Sequence, residues 1–515
     1  MAAFAMCWVV IRACVQAVTI DEAVTFNNFV EPAIATHWQP HANNHILNSL
    51  IMRFFTAIFG AVPLTIRSGA MVGALVYILA VYYLCRFVTA KAEPGFWLRV
   101  SLFACLVYNP LIMDYLVAAR GYGLAIAFLA SGLAAVAWFD SHREGAAFRA
   151  LVRACVLASV CLALSVVANF SFALMDAAIM LAVYFWAARR SGAPQFAWKG
   201  WAKYFQLAAA CALPGLAVAL VLAGSALLHF PRGELVYGAW TFNETVRSLA
   251  DASIYEPNPF FLNPLIVGVF QRNAHWLLPA AGVICVLRLT ILILQRRSAR
   301  RDANTDSLVS LGALLCGAGL LAVGLHWIAF HKFQVFWPKD RTGIFLVVLI
   351  TLFAGILAAI PVPTRLGWFS QRLVTIALFV LGSYFMLCLR VGYFKEWRFD
   401  ADIDKVYSVL AYYNHTCRLR EVAVSWRYDS TLNFYRALSG RENFPDFTGT
   451  VGEYPAGKRA YVLFSIEEEK VIRDRHLAAV YRGATGATVA IDPAVSPPEG
   501  AVMCDVTLPL TGIRW

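Results

Sequence analysis

The sequence predicts a polytopic α-helical membrane protein with a small α/β domain at its C-terminal end. The first observation is composition: 60% of the 515 residues are hydrophobic, 14% are charged and the mean hydropathy is +0.63, whereas soluble domains are about 45–50% apolar. The second is the recurrence of apolar runs of about twenty residues, the length that crosses a bilayer as a helix. The third is a change after Arg390, where the apolar runs shorten and charged residues mix with them.

About eleven transmembrane helices are predicted from these runs. The first run has no basic segment before it and no clear small-residue cleavage site before Asp21, so we interpret it as a retained span and not as a signal peptide. The predicted spans are 2–20, 65–87, 98–117, 119–139, 149–167, 170–188, 203–229, 276–295, 307–330, 342–360 and 371–391.

The basic residues between these runs predict the orientation of the chain. A net charge of +12 is compatible with nucleic-acid binding, but the basic residues fall in short loops, as the positive-inside rule describes for cytoplasmic loops. The bilayer is therefore the expected partner, and nucleic acid is not. We expect a multi-pass protein of the bacterial inner (plasma) membrane with a cytoplasmic N-terminus and an extracytoplasmic C-terminal domain. The basic loops are 86–99, 143–153, 189–203 and 296–301.

The apolar run at 44–60 is predicted not to span the membrane. It is short and contains Arg53, and a span here would place every later basic loop outside. We expect an interfacial helix on the outer surface, capped by Asn43 or Asn44. The predicted membrane domain is then 1–391, with external loops at 21–64 and 230–275.

Residues 392–515 are predicted to form the soluble α/β domain. Two of the twelve cysteines, Cys417 and Cys504, lie in this polar region, and a disulfide between them would require an oxidising compartment; the sequence leaves this pairing open. The predicted helices are 401–413, 430–438 and 467–474, and the predicted strands are 421–426, 460–465, 478–481 and 487–491.

Candidate reactive residues begin where the first apolar run ends. Asp21 and Glu22 are adjacent there, and ionisable groups at the membrane suggest function, although two acids that merely end a helix are the simpler interpretation. His45 begins the short helix beside two asparagines, while His37 and His41 are more simply solvent-exposed loop residues. Carboxylates and imidazoles both bind divalent cations, so Asp21 and His45 are candidate ligands of a divalent metal ion.

Several short motifs resemble one family. Asp21-Glu22-Ala23, Asn44-His45-Ile46-Leu47, Phe59-Gly60 and Leu64-Thr65-Ile66-Arg67 resemble the N-terminal third of GT-C glycosyltransferases. The nearest types are the protein O-mannosyltransferases and the aminoarabinose transferases. The resemblance is strongest over 20–140 and continues at 108–110, at 118–122 and, faintly, at 338–341. It implies a GT-C-like membrane domain and transfer of a sugar from a polyprenyl-phosphate donor to a lipid, glycan or protein acceptor at the external face.

The resemblance and the chemistry together suggest roles for individual residues. A carboxylate at the external boundary can act as general base for the acceptor hydroxyl, and cations can stabilise the phosphate that leaves. Asp114 has a second interpretation as an ion-pair partner of Arg120, and the cations at 339 and 341 have one as lipid-headgroup contacts. The expected residues are Asp21 and Glu22 for catalysis, Arg120, Lys339 and Arg341 for the donor phosphate, and Asn44, His45, Tyr122 and Asp114 for substrate binding.

Two other functional classes remain open. A transporter of a lipid-linked or polar substrate would typically show internal repeats and helices broken near the membrane centre, and the sequence shows neither. A non-catalytic membrane assembly scaffold would leave Asp21, Glu22 and Arg120 without a reason.

Overall fold

The computed structural model divides into two compact units. Unit 1 comprises Met1–Val10, Trp38–Asn48 and Ser68–Arg390, and unit 2 comprises Ile11–His37, Ser49–Arg67 and Val391–Trp515. The C-terminal part of the chain therefore shares a unit with two N-terminal segments. His37, the basic loop at 296–301 and parts of the basic loops at 86–99, 143–153 and 189–203 lie outside the described residues. The structure describes residues 1–32, 38–39, 41, 43–90, 92, 95–142, 147–192, 198–229, 237–258, 263–295, 303–439, 444–497 and 502–505.

The part of the chain before residue 390 is helical, as its apolar runs predict. Within the described residues, nine helices are long and apolar enough to cross a membrane, and a bent pair at the N-terminus would make ten. The polytopic α-helical prediction is confirmed. The helices are α1 (Ala2–Val15), α2 (Ile20–Thr25), α3 (Ile46–Phe59), α4 (Pro63–Ile66), α5 (Ser68–Thr89), α6 (Gly95–Val107), α7 (Pro110–Tyr115), α8 (Tyr122–Ser141), α9 (Phe148–Ala168), α10 (Ala173–Arg190), α11 (Trp198–Leu228), α12 (Phe242–Ser253), α13 (Pro264–Leu294), α14 (Ala303–Phe333), α15 (Ile344–Ala359) and α16 (Arg365–Leu387).

The third predicted span, 98–117, is not one helix. It is broken between α6 and α7 at Asn109-Pro110. The Asn109 side chain accepts hydrogen bonds from the backbone N–H groups of Leu111 and Ile112 at 3.0 and 3.4 Å, so a new helix begins there. Pro110 suits the first helical position because it has no N–H to satisfy.

The first predicted span, 2–20, also differs from a straight helix. The α1 helix ends at Val15, and Thr19 and Glu22 form a capping box that starts α2, with a bend of 75° between Ala2–Val15 and Ile20–Val30. The apolar helix α3 has 14 residues, or about 21 Å, which is less than the hydrocarbon core of about 30 Å. It is not among the helices long enough to span, and its position on the outer surface stays a prediction.

The C-terminal part of unit 2 forms a mixed five-stranded sheet in the order β2-β1-β3-β5-β4. Strands β2, β1 and β3 are parallel, and β5 pairs antiparallel with β3 and β4. The predicted elements are confirmed within a few residues, except for the two-residue β2, which the sequence analysis missed. The elements are α17 (Ile403–Cys417), β1 (Val422–Ser425), α18 (Asp429–Leu438), β2 (Gly449–Thr450), β3 (Ala460–Phe464), α19 (Ser465–Asp474), β4 (Ala478–Arg482) and β5 (Ala487–Ile491).

Two features complete this domain. A disulfide joins Cys417 at the end of α17 to Cys504, which settles the pairing that the sequence left open. The apolar core between the helices and the sheet includes Val406, Val462 and Val489, and Ala17 of the N-terminal segment packs into the same core. The N-terminal segment is therefore part of the folded body of unit 2.

Candidate functional site

Unit 1 contains a cavity of about 340 Å³ that brings together four of the predicted site residues. His45, Arg120, Tyr122 and Arg341 all line it, although 296 positions separate the first from the last. Their roles remain predictions, but their proximity is a property of the fold.

A glycine allows the loop before α8 to approach His45. The Asn48 side chain donates a hydrogen bond to the Ala119 carbonyl at 3.0 Å, which fixes the start of α3 against this loop. Gly121 has a φ of +73°, and a Cβ there would lie 2.2 Å from the Ala168 carbonyl oxygen and 2.9 Å from the Cβ of His45. Only glycine fits this conformation and this approach without strain, so the close contact between this loop and His45 depends on Gly121.

Arg120 is oriented by an asparagine that the sequence analysis considered only as a helix cap. The Arg120 Nη2 donates to the Asn43 Oδ1 at 3.0 Å, and the Arg120 side chain is buried. Asn44, the predicted substrate residue, is buried and donates to the Gln39 carbonyl at 3.0 Å. Asn43 therefore lines the cavity, whereas Asn44 holds the loop that precedes α3.

Arg341 is the second arginine that lines the cavity, and its side chain lies beside Tyr237. Its guanidinium carbon lies 4.9 Å from the centre of the Tyr237 ring, and the Tyr237 hydroxyl donates to the Asp340 carboxylate at 3.1 Å. An antiparallel bridge between Ala239 and Trp337 joins these two segments. Burial raises the pKa of Tyr237 to about 12, so the hydroxyl keeps its proton for this hydrogen bond.

His45 is a neutral group in a positively charged cavity. Its side chain is buried, and its Nε2 has no hydrogen-bond partner within the described residues. Burial, and then the charges of Arg120 and Arg341, hold the pKa of His45 well below its usual range. The described lining residues include two arginines and neither aspartate nor glutamate. Such a cavity favours an anion, to which a neutral imidazole can add a hydrogen bond.

An apolar cavity of about 590 Å³ lies close to the cationic one in unit 1. It is bounded by α6, α12, α13, α15 and α16, and its described lining is almost entirely apolar. A small cavity of about 30 Å³ shares His326 and Pro338 with the cationic cavity and Phe242 and Leu346 with the apolar one. The three cavities therefore form a series that begins with a cationic lining and ends with an apolar one.

Besides Asn44, two of the predicted residues in unit 1 do not line the cationic cavity. Lys339 is exposed and precedes the short 3₁₀ helix Asp340–Gly343. Asp114 is buried in α7, where its carboxylate accepts a hydrogen bond from the Tyr255 hydroxyl. Tyr255 and Tyr237 were both missed, because nothing in the sequence near them indicates which distant residues they contact.

Glu22 belongs to unit 2, where it forms a buried ion pair with Arg67. The Arg67 Nε donates to Oε1 at 2.9 Å and its Nη2 to Oε2 at 2.8 Å, and both side chains are fully buried. The Thr19 N–H also donates to Oε2, at 2.9 Å. Arg67 makes three further hydrogen bonds, which go to the carbonyl oxygens of Ala13, Gln16 and Ala17.

Asp21 is the more accessible of the two adjacent acids. Its residue is half-buried on α2, whereas Glu22 has no exposed surface. The N–H of Ile20, one residue before it, donates to the Asp400 Oδ2 at 2.7 Å. Asp400 lies in the 3₁₀ helix Arg398–Asp400, and the sequence analysis missed it because 380 positions separate it from Ile20.

The metal prediction for Asp21 and His45 stays a prediction. Among the described residues, no group of three or more His, Cys, Asp or Glu side chains is arranged to hold a metal ion. Asp21 belongs to unit 2 and His45 to unit 1.

No family model and no curated protein matches the chain. Among solved structures, it is similar to ArnT from Cupriavidus metallidurans bound to undecaprenyl phosphate, with 15% identity, a TM-score of 0.42, and coverage of 96% of this chain and 98% of that one. The apo state of ArnT gives 12% identity, a TM-score of 0.38 and coverage of 95% and 96%. The archaeal oligosaccharyltransferase AglB from Archaeoglobus fulgidus, in complex with an inhibitory peptide and a dolichol-phosphate, gives 13% identity and a TM-score of 0.40 over 84% of this chain. The chain spans 63% of the AglB chain.

Proposed function

We propose that the chain is an integral membrane glycosyltransferase that moves a sugar from a polyprenyl-phosphate donor to an acceptor at the external membrane face. The observation that supports this proposal best is the series of cavities in unit 1, with a cationic cavity of about 340 Å³ at one end and an apolar cavity of about 590 Å³ at the other. A polyprenyl phosphate has the same division between an anionic head and a hydrocarbon tail.

Arg120 and Arg341 are proposed to bind the donor phosphate. When the bond between the anomeric carbon and the phosphate oxygen breaks, the electron pair stays on the phosphate, and fixed cations stabilise the charge that develops. His45 stays neutral beside both arginines and contributes a hydrogen bond without adding charge. Tyr122, whose ring centre lies 5.7 Å from that of His45, is proposed to contact the donor sugar.

Asp21 is proposed as the general base. The acceptor hydroxyl oxygen forms the new bond to the anomeric carbon, and its proton passes to the Asp21 carboxylate. Glu22, which the sequence also suggested for catalysis, is occupied on both oxygens by Arg67, so we assign it the role of holding α2.

The external location of this chemistry is proposed from two features. The basic loops predict a C-terminal domain outside the cytoplasm. The disulfide between Cys417 and Cys504 agrees with this orientation, since stable disulfides form in oxidising compartments. In a bacterium that location is the outer side of the plasma membrane.

The test is transfer from a polyprenyl-phosphate sugar by the purified protein in lipid vesicles. Arg120→Gln and Arg341→Gln each remove a charged contact worth about 1.5–3 kcal/mol, so kcat/KM for the donor should fall roughly ten- to hundredfold. Arg247→Gln is the matched control, because Arg247 is an exposed arginine of α12 that does not line the cavity. Equal activity of all three variants would contradict the assignment of the phosphate site.

The same vesicles separate the alternatives. Asp21→Asn should retain donor binding and lose turnover, and a folded variant with wild-type turnover would show that Asp21 is not the base. Movement of the lipid donor across the vesicle membrane without its consumption would identify a transporter. Treatment with a chelator tests whether Asp21 or His45 holds a divalent metal ion, since loss of turnover that added metal restores would show a requirement for one.

A further inference from the structure

The turn that bears Asp21 is held by the C-terminal part of unit 2. Oδ2 of Asp400 accepts the Ile20 N–H at 2.7 Å, and the Tyr435 hydroxyl oxygen accepts the Val18 N–H at 3.1 Å. The Ile20 N–H belongs to the first residue of α2, where the N–H groups of a helix have no partner within the helix, and the Val18 N–H lies two residues before it. The position of Asp21 therefore depends on side chains almost 400 residues away in the sequence.

Three carboxylates meet in this region, and two of them are completely enclosed. Glu22 has no exposed surface and is paired with Arg67. Asp400 is 1% exposed, and its Oδ1 has no hydrogen-bond partner within the described residues. Asp21 is half-buried, so it is the most exposed of these three acids.

We propose that Asp400 is a positioning residue, which fixes the first turn of α2 and with it the Asp21 carboxylate for proton abstraction from the acceptor. The inference rests on the proposed function, because it assumes that Asp21 is the general base. Asp400 touches neither donor nor acceptor in this mechanism and acts through the Ile20 N–H. A base held in the correct position removes an orientational cost from the reaction, and a displacement of about 1 Å can reduce the rate about a hundredfold.

The charge of Asp400 adds a second effect. Burial, and then the charges of Asp21 and Glu22, raise the pKa of Asp400 well above its usual range. Among the described residues, the groups that also face this region include Arg67, paired with Glu22, the hydroxyl of Tyr435, and the hydroxyl of Tyr428, whose pKa the Asp400 charge helps to raise. Protonated Asp400 places no additional negative charge beside Asp21.

The experiment compares three variants of the full chain in lipid vesicles, using a polyprenyl-phosphate sugar as donor. Asp400→Ala removes the acceptor of the Ile20 N–H, and kcat should fall roughly ten- to hundredfold while KM for the donor stays within about twofold. Asp400→Asn keeps an acceptor oxygen without a charge, so it should recover most of the lost kcat. Asp474→Ala removes an exposed acid at the end of α19 and is the matched control.

Hydrogen exchange of the peptide that contains residues 18–22 is measured on the same samples. Faster exchange in Asp400→Ala than in Asp400→Asn, together with the kcat loss, supports the proposal. Wild-type kcat in Asp400→Ala, an equal loss in both variants, or a change in donor KM alone would overturn it. If Asp400→Ala does not fold, Asp400→Asn decides, because it keeps the acceptor of the Ile20 N–H. Wild-type exchange of residues 18–22 together with a tenfold or larger loss of kcat in that variant then overturns the proposal.

The outcomes separate this proposal from the proposed function. If the wild type transfers sugar and Asp400→Ala transfers it equally well, the positioning role fails and the glycosyltransferase function stands. If the wild type transfers no sugar from any polyprenyl donor, the proposed function fails, and the exchange rates still report whether Asp400 fixes the turn.

Discussion

Truncation of Glu22 tests whether this residue stabilises the fold or takes part in catalysis. Glu22→Ala would leave the fully buried Arg67 without its carboxylate, although three backbone carbonyls would still accept its hydrogen bonds. Breaking a buried ion pair by removing one partner costs about 3–5 kcal/mol. Glu22→Gln keeps one acceptor oxygen and loses the charge, so about 1.5–3 kcal/mol is expected for that variant.

The assay is thermal unfolding of the purified protein in detergent at a fixed heating rate. For a unit of about 150–250 residues, about 1 kcal/mol corresponds to about 2–4 °C, so Glu22→Ala should lower Tm by several degrees more than Glu22→Gln. Glu453→Ala removes an exposed glutamate of the same unit and should leave Tm unchanged.

One result would refute the structural role of Glu22. If Glu22→Ala had the Tm of the wild type and no turnover, Glu22 would be a catalytic residue and not the partner of a stabilising ion pair. A double variant, Glu22→Met with Arg67→Met, adds a second check. Replacing both members of a buried pair with apolar side chains is often tolerated, so this variant should unfold at a higher temperature than Glu22→Ala.

The remaining predictions concern three other parts of the chain. Gly121→Ala should raise the donor KM about tenfold or more through displacement of His45, whereas Gly132→Ala, whose Cβ would meet no atom closer than 3.4 Å, should not. His45 has a lowered folded-state pKa, so the wild type should gain stability relative to His45→Asn as the pH rises from about 5 to about 7, measured as Tm against pH. Reduction of the Cys417–Cys504 disulfide, whose cysteines are 87 positions apart, should destabilise unit 2 by about 2–5 kcal/mol, measured as Tm with and without reductant.

Much of the fold could be predicted because its signals are local. A run of about twenty apolar residues specifies a helix such as α5 or α8 without reference to the rest of the chain, and a short run of apolar and β-branched residues specifies a buried strand such as β5. The break at Asn109-Pro110 could not be predicted from hydropathy. An average over an apolar run does not detect a helix cap, which here consists of one side chain that accepts hydrogen bonds from two nearby N–H groups. An Asn-Pro pair is a turn signal, but the high apolar content of 98–117 favoured the prediction of one continuous helix.

The site was less predictable, because its contacts join distant positions. Polar residues in apolar surroundings drew attention to His45, Arg120 and Arg341, which line one cavity. The groups that orient them could not be found in the same way, since Tyr237 is an ordinary loop aromatic until its ring is placed beside Arg341. Asp400 likewise resembles any acid of a soluble domain until it accepts the hydrogen bond that fixes α2.

Three buried arginines show how the structure separates a stabilising cation from a candidate binding residue. A guanidinium has five N–H donors, and its burial is costly unless those donors are satisfied. Arg288 uses all three nitrogens on three backbone carbonyls and one serine hydroxyl, and Arg67 uses its own on Glu22 and three carbonyls. These two arginines join segments of the chain, so their N–H donors are used for contacts within the protein. Arg120 is held by Asn43 in the wall of a cavity that is large enough for an anionic group and also contains Arg341. Burial alone therefore does not identify a candidate binding arginine, and the distinguishing feature of Arg120 is its position in the lining of a cavity.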